Sequence, residues 1–402
     1  MRNPVKPGRK PVTRTLHSPS LLKLNSEFLS GIIDNIPDTI FVKDDQGRYL
    51  INNKAHLRQL GRKNREEVIG KTVYELFPRK YARQFDQDDK ETLRSGESLL
   101  NREELMVDKS GHQHWMSTSK IPIKDARGKV LRLVGISRDI TEIKLYQEAL
   151  KKANDRMEGE LAAARKVQKS LIPSENPDIP GIRLHGFYEP ATEVGGDYLD
   201  YFPTRDGRWV LVIADVCGKG VAAALLMAML RSAFRGEAAA ATGAKDLLGR
   251  VNLVLRPNLS QASFITALCL VVDSDGRRMS YARAGHPPLI RIRQAELPKT
   301  MSCRGAALGL FDSPGDFSSN LDEMVVEMKP GDRYFLFTDG LIETLNRKKA
   351  CYGMERLSRL LARGFQKGPE QVIRQVVADA LQFRHGAPVS DDLALLAFEV
   401  LP

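Results

Sequence analysis

The sequence predicts an α+β protein of several domains, on three observations. The chain has 402 residues. A single hydrophobic core rarely organises so many residues, so several domains are expected. Strand-like runs and short helical stretches occupy residues 21–141, and a seven-residue apolar repeat covers residues 142–172. Buried-strand patterns with acidic residues at their ends occupy residues 173–402. Because 42% of the residues are hydrophobic and 28% are charged, the composition fits folded, globular domains.

The four cysteines are scattered and form no CxxC pair, which argues against a zinc site and a disulfide framework. No apolar run reaches the ~20 residues that a membrane-spanning helix needs, and the N-terminus lacks the apolar core of a signal peptide. We therefore expect a reducing, cytoplasmic location without membrane insertion. The cysteines are Cys217, Cys269, Cys303 and Cys351.

Residues 1–20 carry five basic side chains, four prolines and no acidic side chain. This composition predicts a disordered basic arm. The arm adds to a formal net charge of +11, which by itself is compatible with nucleic-acid or acidic-lipid contact. The remaining basic residues are interspersed with acidic ones, and no nucleic-acid-binding motif is recognised. We expect a solvated arm and no nucleic-acid partner.

Residues 21–141 show a helix, a hairpin, short helices and then three strand-like runs. The hairpin consists of the β-rich runs 40–42 and 49–51, separated by the turn sequence DDQG. The segments IPDTIFVKDDQGRYLINNKA and GISRDITE resemble PAS sensor domains, which implies a PAS fold. The ligand of such a domain is unknown here. The segment lacks the cysteine of light-sensing flavin domains, His56 is a candidate haem ligand, and a dimerising PAS domain without ligand is the alternative.

Residues 142–172 predict a long helix with a heptad repeat. Apolar side chains recur at seven-residue steps, and Glu160 interrupts a companion series three residues further along. A 3.5-residue period favours a parallel two-stranded coiled coil and hence a homodimer. A single amphipathic helix packed on one domain is the alternative. The first series is Ile143, Leu150, Met157, Ala164 and Leu171, and the second is Tyr146, Ala153 and Val167.

Four acidic sites in residues 173–402 lie beside predicted strand ends. Asp215 follows the apolar run WVLVIA, Asp339 follows YFLFT, and the pair Asp391 and Asp392 precedes another apolar strand. Asp197 follows two glycines in GGDYLDYF. A single such aspartate is commonly a turn or helix-cap residue, but four converging carboxylates would repel one another unless cations neutralised them. Because the donors are all oxygens, the pattern favours Mg²⁺ or Mn²⁺ over zinc.

Five ordered motifs in this segment resemble the stage II sporulation E type of bacterial serine phosphatase, in the protein phosphatase 2C superfamily. They are GGDYLDYF, ADVCGKGVAAAL, AGHPP, FTDGLIE and SDDLALL. The resemblance implies an αββα sandwich, in which helices flank two antiparallel sheets, and two bound Mg²⁺ or Mn²⁺ ions. The metal ligands that it implies are Asp197, Asp215, Asp339, Asp391 and the backbone carbonyl of Val216. Asp391 matches the family ligand better than Asp392 does.

The resemblance also implies the activity of a metal-dependent protein serine/threonine phosphatase, in which the four aspartates serve catalysis by holding a two-metal-activated water. The implied substrate is a phosphorylated anti-sigma-factor antagonist in a partner-switching pathway, with the PAS domain as regulator. A catalytically weak docking or sensor protein is the alternative. Lys219 is compatible with a phosphate contact or a solvated side chain, and His286 with a structural or a catalytic role. No general acid is identified.

Overall fold

The structure is a computed structural model with two compact units, residues 1–154 and 155–402. It describes residues 19–107, 111–260, 262–294, 296–311, 313–364 and 366–402. The predicted basic arm at residues 1–20 therefore lies almost entirely outside the described residues. Within those ranges, no helix has both the length and the apolar character that crossing a bilayer requires.

The first unit has the element order that its sequence predicts, except for one additional long helix before the last three strands, and it is built on one antiparallel sheet. In chain order its elements are α1 (Pro19–Asp34), β1 (Thr39–Lys43), β2 (Tyr49–Asn52), α2 (Lys54–Gln59), α3 (Val73–Leu76), α4 (Arg79–Ser95), β3 (Leu99–Val107), β4 (Gln113–Lys124) and β5 (Val130–Asp139). Neighbouring strands follow the order β2-β1-β5-β4-β3. Apolar side chains of α2, α3 and α4 pack with those of β1, β2 and β5, which gives the unit its hydrophobic core.

Local sequence explains the hairpin between β1 and β2. Asp44 accepts hydrogen bonds from the backbone N–H groups of Gln46 (3.0 Å) and Arg48 (2.8 Å), as expected for an Asx turn. Gly47 has a φ of +77°, which costs glycine no steric energy. The turn predicted from DDQG is therefore confirmed.

A helix of 31 residues, α5 (Thr141–Leu171), begins in the first unit and ends in the second. It confirms the helix predicted at residues 142–172. The first three residues of its heptad series are exposed, with exposed fractions of 51% for Ile143, 72% for Leu150 and 55% for Met157, whereas Ala164 and Leu171 are half-buried. Pairing with a second copy stays a prediction.

The second unit alternates strands and helices through to the end of the chain. Its elements are β6 (Ile182–Glu189), β7 (Tyr198–Pro203), β8 (Trp209–Val216), α6 (Val221–Glu237), α7 (Ala244–Leu255), β9 (Ile265–Val272), β10 (Arg278–Ala284), β11 (Leu289–Ile292), β12 (Lys299–Met301), α8 (Pro314–Ser319), β13 (Glu323–Glu327), β14 (Arg333–Phe337), α9 (Asp339–Ile342), α10 (Met354–Arg363), α11 (Pro369–Arg384) and β15 (Leu393–Val400).

These elements form the αββα sandwich that the family resemblance implied. One antiparallel sheet has the order β13-β10-β9-β8-β7, and the other has the order β12-β11-β14-β15-β6. Apolar side chains of the two sheets meet in one core layer. A second layer joins α6 and α7 to the first sheet, and a third joins α10 and α11 to the second sheet. Because β8 is covered on both faces, its sequence is a continuous apolar run.

Candidate active site

The first sheet positions two of the predicted aspartates at one edge. Asp197 directly precedes β7, and Asp215 is the penultimate residue of β8. These strands pair antiparallel, with Tyr198 opposite Ala214. The beginning of β7 therefore lies beside the end of β8, and the two aspartates become neighbours.

The second sheet positions the other two aspartates in the same manner. Asp339 begins α9 two residues after β14 ends, and Asp391 lies two residues before β15 begins. Phe337 pairs with Leu395, so the end of β14 lies beside the beginning of β15. Antiparallel pairing therefore brings two aspartates close together in each sheet.

Asp197 is the buried member of the four, with an exposed fraction of 2%. Its Oδ2 has no hydrogen-bond partner among the described residues. Burial raises the pKa of Asp197 well above its usual range, and the Asp215 carboxylate raises it further, against the Thr338 hydroxyl. A buried carboxylate oxygen without a donor is costly unless a cation or a proton compensates it.

Asp215 and Asp339 experience the same crowding of negative charge. Burial, followed by the carboxylates of Asp339 and Asp391, raises the pKa of Asp215 to about 7. Burial and the Asp391 carboxylate also raise the pKa of Asp339, while the Lys219 ammonium acts in the opposite direction. Carboxylates from both sheets therefore share one electrostatic cluster.

Lys219 lies beside this cluster, in the loop between β8 and α6. Its Nζ is 3.1 Å from Asp391 Oδ1 and donates a hydrogen bond to the backbone carbonyl of Ser390. The Lys219 side chain is 52% exposed, so its ammonium is accessible from solvent. This position is compatible with the phosphate contact that the sequence left open.

The donor set of the cluster fits a divalent cation that prefers oxygen ligands. In the part of the chain that the structure describes, no group of three or more His, Cys, Asp or Glu side chains already has the geometry of a metal site. The unpartnered Oδ2 of Asp197 and the raised pKa of Asp215 are the features that a bound cation would relieve.

Asp392 has a different role from Asp391, because its carboxylate is engaged by backbone donors. Asp392 Oδ1 accepts a hydrogen bond from the N–H of Ala191 (2.7 Å). Its Oδ2 accepts from the N–H groups of Gly196 (2.6 Å) and Asp197 (3.2 Å). The buried Asp392 carboxylate therefore fixes the loop that carries Asp197.

The two glycines before Asp197 are required by close approach. A Cβ at Gly195 would collide with Asp392 Oδ2 and lie 2.5 Å from the Tyr188 hydroxyl. A Cβ at Gly196 would lie 2.8 Å from the carbonyl oxygen of Val216, one of the predicted metal ligands. The Asp392 carboxylate, for which the sequence predicted no such role, occupies the space that Gly195 leaves.

Two residues in the recognised motifs have structural contacts. His286 is buried, and its Nε2 donates to the carbonyl of Phe337 (3.1 Å) while its Nδ1 accepts from the Thr266 hydroxyl (2.9 Å). Burial lowers the pKa of His286 to about 3, so its ring is neutral. Cys217 Sγ accepts a hydrogen bond from the N–H of Phe264 (3.1 Å). These contacts support a structural role for both side chains.

The first unit contains a cavity of about 30 Å³ beside His56. This volume accommodates about two water molecules and is far too small for haem. His56 Nδ1 lies 2.5 Å from Asn52 Oδ1, and the ring packs between Phe41 and Tyr49. The contacts of His56 are those of a core residue.

Three residues near the carboxylate cluster were not predicted. Thr338 Oγ1 accepts a hydrogen bond from the N–H of Ala394 (3.0 Å). The hydroxyl of Tyr188 is buried and has no hydrogen-bond partner among the described residues. Gln168, on α5, bonds to the backbone of Gly195. Thr338 lies within the motif FTDGLIE, so that motif gave a signal for its neighbourhood, whereas Tyr188 and Gln168 lie outside the five motifs.

Two family models match the chain. The model described as Stage II sporulation protein E (SpoIIE) matches residues 205–401. The model described as PAS fold matches residues 33–145. The first match lies within residues 173–402, and the second covers most of residues 21–141 and extends four residues beyond them, so both resemblances are confirmed.

Curated relatives and a solved structure agree with these matches. Protein IcfG of Synechocystis sp. is 26% identical over 267 residues, which are 59% of this chain and 41% of IcfG. Phosphoserine phosphatase RsbU of Bacillus subtilis is 25% identical over 254 residues, which are 62% of this chain and 73% of RsbU. The SiaA-PP2C domain of Pseudomonas aeruginosa superposes with a TM-score of 0.53 at 22% identity, covering 61% of this chain and 98% of that domain. The chain thus spans less than half the length of IcfG, and the SiaA domain supports the fold of the second unit.

Proposed function

We propose that this chain, whose second unit belongs to the stage II sporulation protein E family and whose first unit has a PAS fold, is a metal-dependent protein serine/threonine phosphatase. The observation that carries the proposal is the cluster of aspartates from two sheets. In that cluster Asp197 is buried with an unpartnered Oδ2, and burial together with neighbouring carboxylates raises the pKa of Asp215. Such a cluster is stabilised by cations, and the family supplies the reaction class.

The ligands of two Mg²⁺ or Mn²⁺ ions would be the carboxylates of Asp197, Asp215, Asp339 and Asp391, with the backbone carbonyl of Val216. Bound there, the ions would supply activation of water and neutralisation of charge on the phosphoryl oxygens. Asp392 holds the backbone N–H groups of Gly196 and Asp197, and so keeps the Asp197 loop in place. The half-exposed Lys219 ammonium is placed to attract a phosphoryl group that approaches from solvent.

The substrate class follows from the relatives. RsbU, whose name describes it as a phosphoserine phosphatase, is similar to 62% of this chain. We infer that the substrate is a protein carrying phosphoserine or phosphothreonine, and specifically a phosphorylated anti-sigma-factor antagonist in a partner-switching pathway. The four cysteines are free, which supports a reducing, cytoplasmic location.

The PAS domain would regulate the phosphatase domain within a homodimer. The exposed part of the heptad series of α5, which includes Leu150 and Met157, supports a parallel coiled coil between two copies of the chain. Because α5 belongs to both units, a change in the PAS domain can be transmitted along it. Replacing Leu150 with Glu is expected to weaken the dimer in sedimentation analysis, since a charge would enter the helix seam.

Hydrolysis of a phosphoserine protein tests the proposed activity. The full-length chain is expected to release phosphate in the presence of Mn²⁺, and both chelation of the metal and Asp215→Asn should abolish release. Asp322→Asn is a matched control, because Asp322 is exposed and forms a long contact of 3.6 Å with Arg304. Undiminished hydrolysis by the Asp215→Asn variant would overturn the proposal. Binding of the phosphoprotein without hydrolysis would favour the docking alternative.

A further inference from the structure

Helix α5 is exposed along most of its length, apart from a few half-buried positions such as Leu161, Ala164 and Leu171. Gln168 is its buried residue, with an exposed fraction of 6%. Its neighbours Lys166, Val167 and Lys169 are exposed. A buried polar side chain on an otherwise solvated helix is unusual, since burying an amide is favourable only when its hydrogen bonds are satisfied.

Both hydrogen bonds of the Gln168 amide are made with one residue, Gly195. Its Nε2 donates to the Gly195 carbonyl oxygen (2.6 Å), and its Oε1 accepts from the Gly195 N–H (3.0 Å). Both backbone groups of Gly195 are thus paired with one side chain. A neighbouring β-strand would pair with both backbone groups of a residue in this way. Here a side chain from a helix takes the place of that strand.

Gly195 is also confined from another direction. A Cβ at this position would collide with Asp392 Oδ2, and the next two backbone N–H groups, of Gly196 and Asp197, donate to the same oxygen. The segment from Gly195 to Asp197 is therefore held by the Gln168 amide and by the Asp392 carboxylate. Asp197 is the buried candidate metal ligand whose Oδ2 has no partner among the described residues.

We propose that Gln168 is a positioning residue that sets the place of Asp197 for the divalent cation, so that the end of α5 is part of the metal site. The inference rests on the proposed function, because it assigns Asp197 to metal binding. Gln168 touches neither substrate nor metal and acts through the Gly195 peptide. A displacement of α5 would move that peptide, which gives the linker helix a direct route to the affinity for metal.

Metal binding by variants of the full-length chain tests this proposal. Gln168→Met keeps the length of the side chain and removes both hydrogen bonds, whereas Gln168→Glu keeps the acceptor for the Gly195 N–H and removes the donor. We expect Mn²⁺, measured by calorimetry and by electron paramagnetic resonance, to bind Gln168→Met on the order of tenfold more weakly, as other residues that orient ligands show. Gln168→Glu should fall between Gln168→Met and the wild type. The control is Gln147→Met, at an exposed position on the same helix.

Three results separate the possible outcomes. Weaker Mn²⁺ binding by Gln168→Met, at a temperature where the variant is folded by circular dichroism, supports a positioning role. A folded Gln168→Met that melts at a lower temperature but binds Mn²⁺ like the wild type would overturn the inference and reduce Gln168 to a structural contact. Failure of the wild type itself to bind Mn²⁺ would instead overturn the proposed function.

Discussion

Asp391 and Asp392 are adjacent in sequence, yet their carboxylates have separate partners. Asp391 Oδ1 lies 3.1 Å from the Lys219 ammonium at the accessible side of the cluster. Asp392 Oδ2 is buried and accepts the Gly196 N–H at 2.6 Å. One carboxylate therefore lies at the accessible side of the cluster, and the other holds the backbone that carries Asp197.

Substitution of each residue by Asn should separate these roles. Asp392→Asn places an NH₂ group or a weaker acceptor against three backbone donors, and should lower the free energy of unfolding of the second unit by about 1–3 kcal/mol. Asp391→Asn should leave that free energy nearly unchanged and weaken Mn²⁺ binding. Urea unfolding followed by Trp209 fluorescence in a Trp115→Phe background measures the first effect, since the chain has two tryptophans and Trp209 is the one in this unit. Equal loss of stability in both variants would contradict the assignment.

Gly195→Ala should disrupt the site through the bulk of one methyl group. The added Cβ would meet Asp392 Oδ2 and lie 2.5 Å from the Tyr188 hydroxyl. We expect a loss of about 1–3 kcal/mol in unfolding free energy together with weaker Mn²⁺ binding. Gly236→Ala in α6 is the control, because a Cβ added there would have no atom beyond the local backbone within 4 Å. The control should be neutral or stabilising by up to about 1 kcal/mol, and a similar result for Gly195→Ala would refute the packing argument.

The first unit should lose stability below pH 6.5 because of His56. Burial, with a smaller effect of the Lys43 ammonium, lowers the pKa of His56 to about 3 in the folded state. In the unfolded chain, His56 has a pKa of about 6.5. Below that pH it therefore binds a proton that it does not bind in the folded chain. Stability is fully present above that pH and is lost as the pH falls towards 3, with a slope of up to about 1.4 kcal/mol per pH unit.

Unfolding of the first unit between pH 7.5 and pH 4.5 checks this slope. Trp115 fluorescence in a Trp209→Phe background reports on this unit. His56→Phe, which retains a ring between Phe41 and Tyr49, should flatten the profile. The groups beside the ring are Lys43, Tyr49 and Asn52, and neither Lys43 nor Tyr49 titrates in the unfolded chain over this range. An unchanged slope in His56→Phe would show that other groups cause it.

Asp89 should be the most sensitive polar residue of the first unit. Its carboxylate lies 2.5 Å from the Lys43 ammonium and 2.6 Å from the Lys120 ammonium, and all three side chains are buried. Asp89→Ala leaves two buried ammonium groups without this partner, and should cost about 3–5 kcal/mol. Asp86→Ala, on the same helix, breaks a pair with the exposed Lys90 and should cost less than about 1 kcal/mol. Similar losses in the two variants, measured by Trp115 fluorescence, would argue against a special role for burial.

Elements with a local signal were predictable from the sequence. The apolar run of β8 predicted a buried strand ending at Asp215, and the DDQG turn predicted the β1–β2 hairpin. Helix α4 was not predicted, because it is highly charged and its buried positions include Asp88 and Asp89. Those acids are buried only because lysines from β1 and β4 reach them, which no local pattern reveals.

In the candidate site, too, some features had a local sequence signal and others did not. Asp197, Asp215, Asp339 and Asp391 were selected by motifs and strand ends, and antiparallel pairing explains why each sheet brings two of them together. The backbone contacts of Asp392 and Gln168 join segments far apart in the sequence. These contacts exist only in the assembled sandwich, so no local sequence pattern could predict them.

Anomalous scattering from crystals grown with Mn²⁺ tests the central claim most directly. We expect two manganese peaks between the sheets, ligated by oxygens of Asp197, Asp215, Asp339 and Asp391, with Asp392 still bonded to the backbone of Gly196. Crystals saturated with Mn²⁺ that show no peak within this cluster, or a peak ligated by other residues, would contradict that claim.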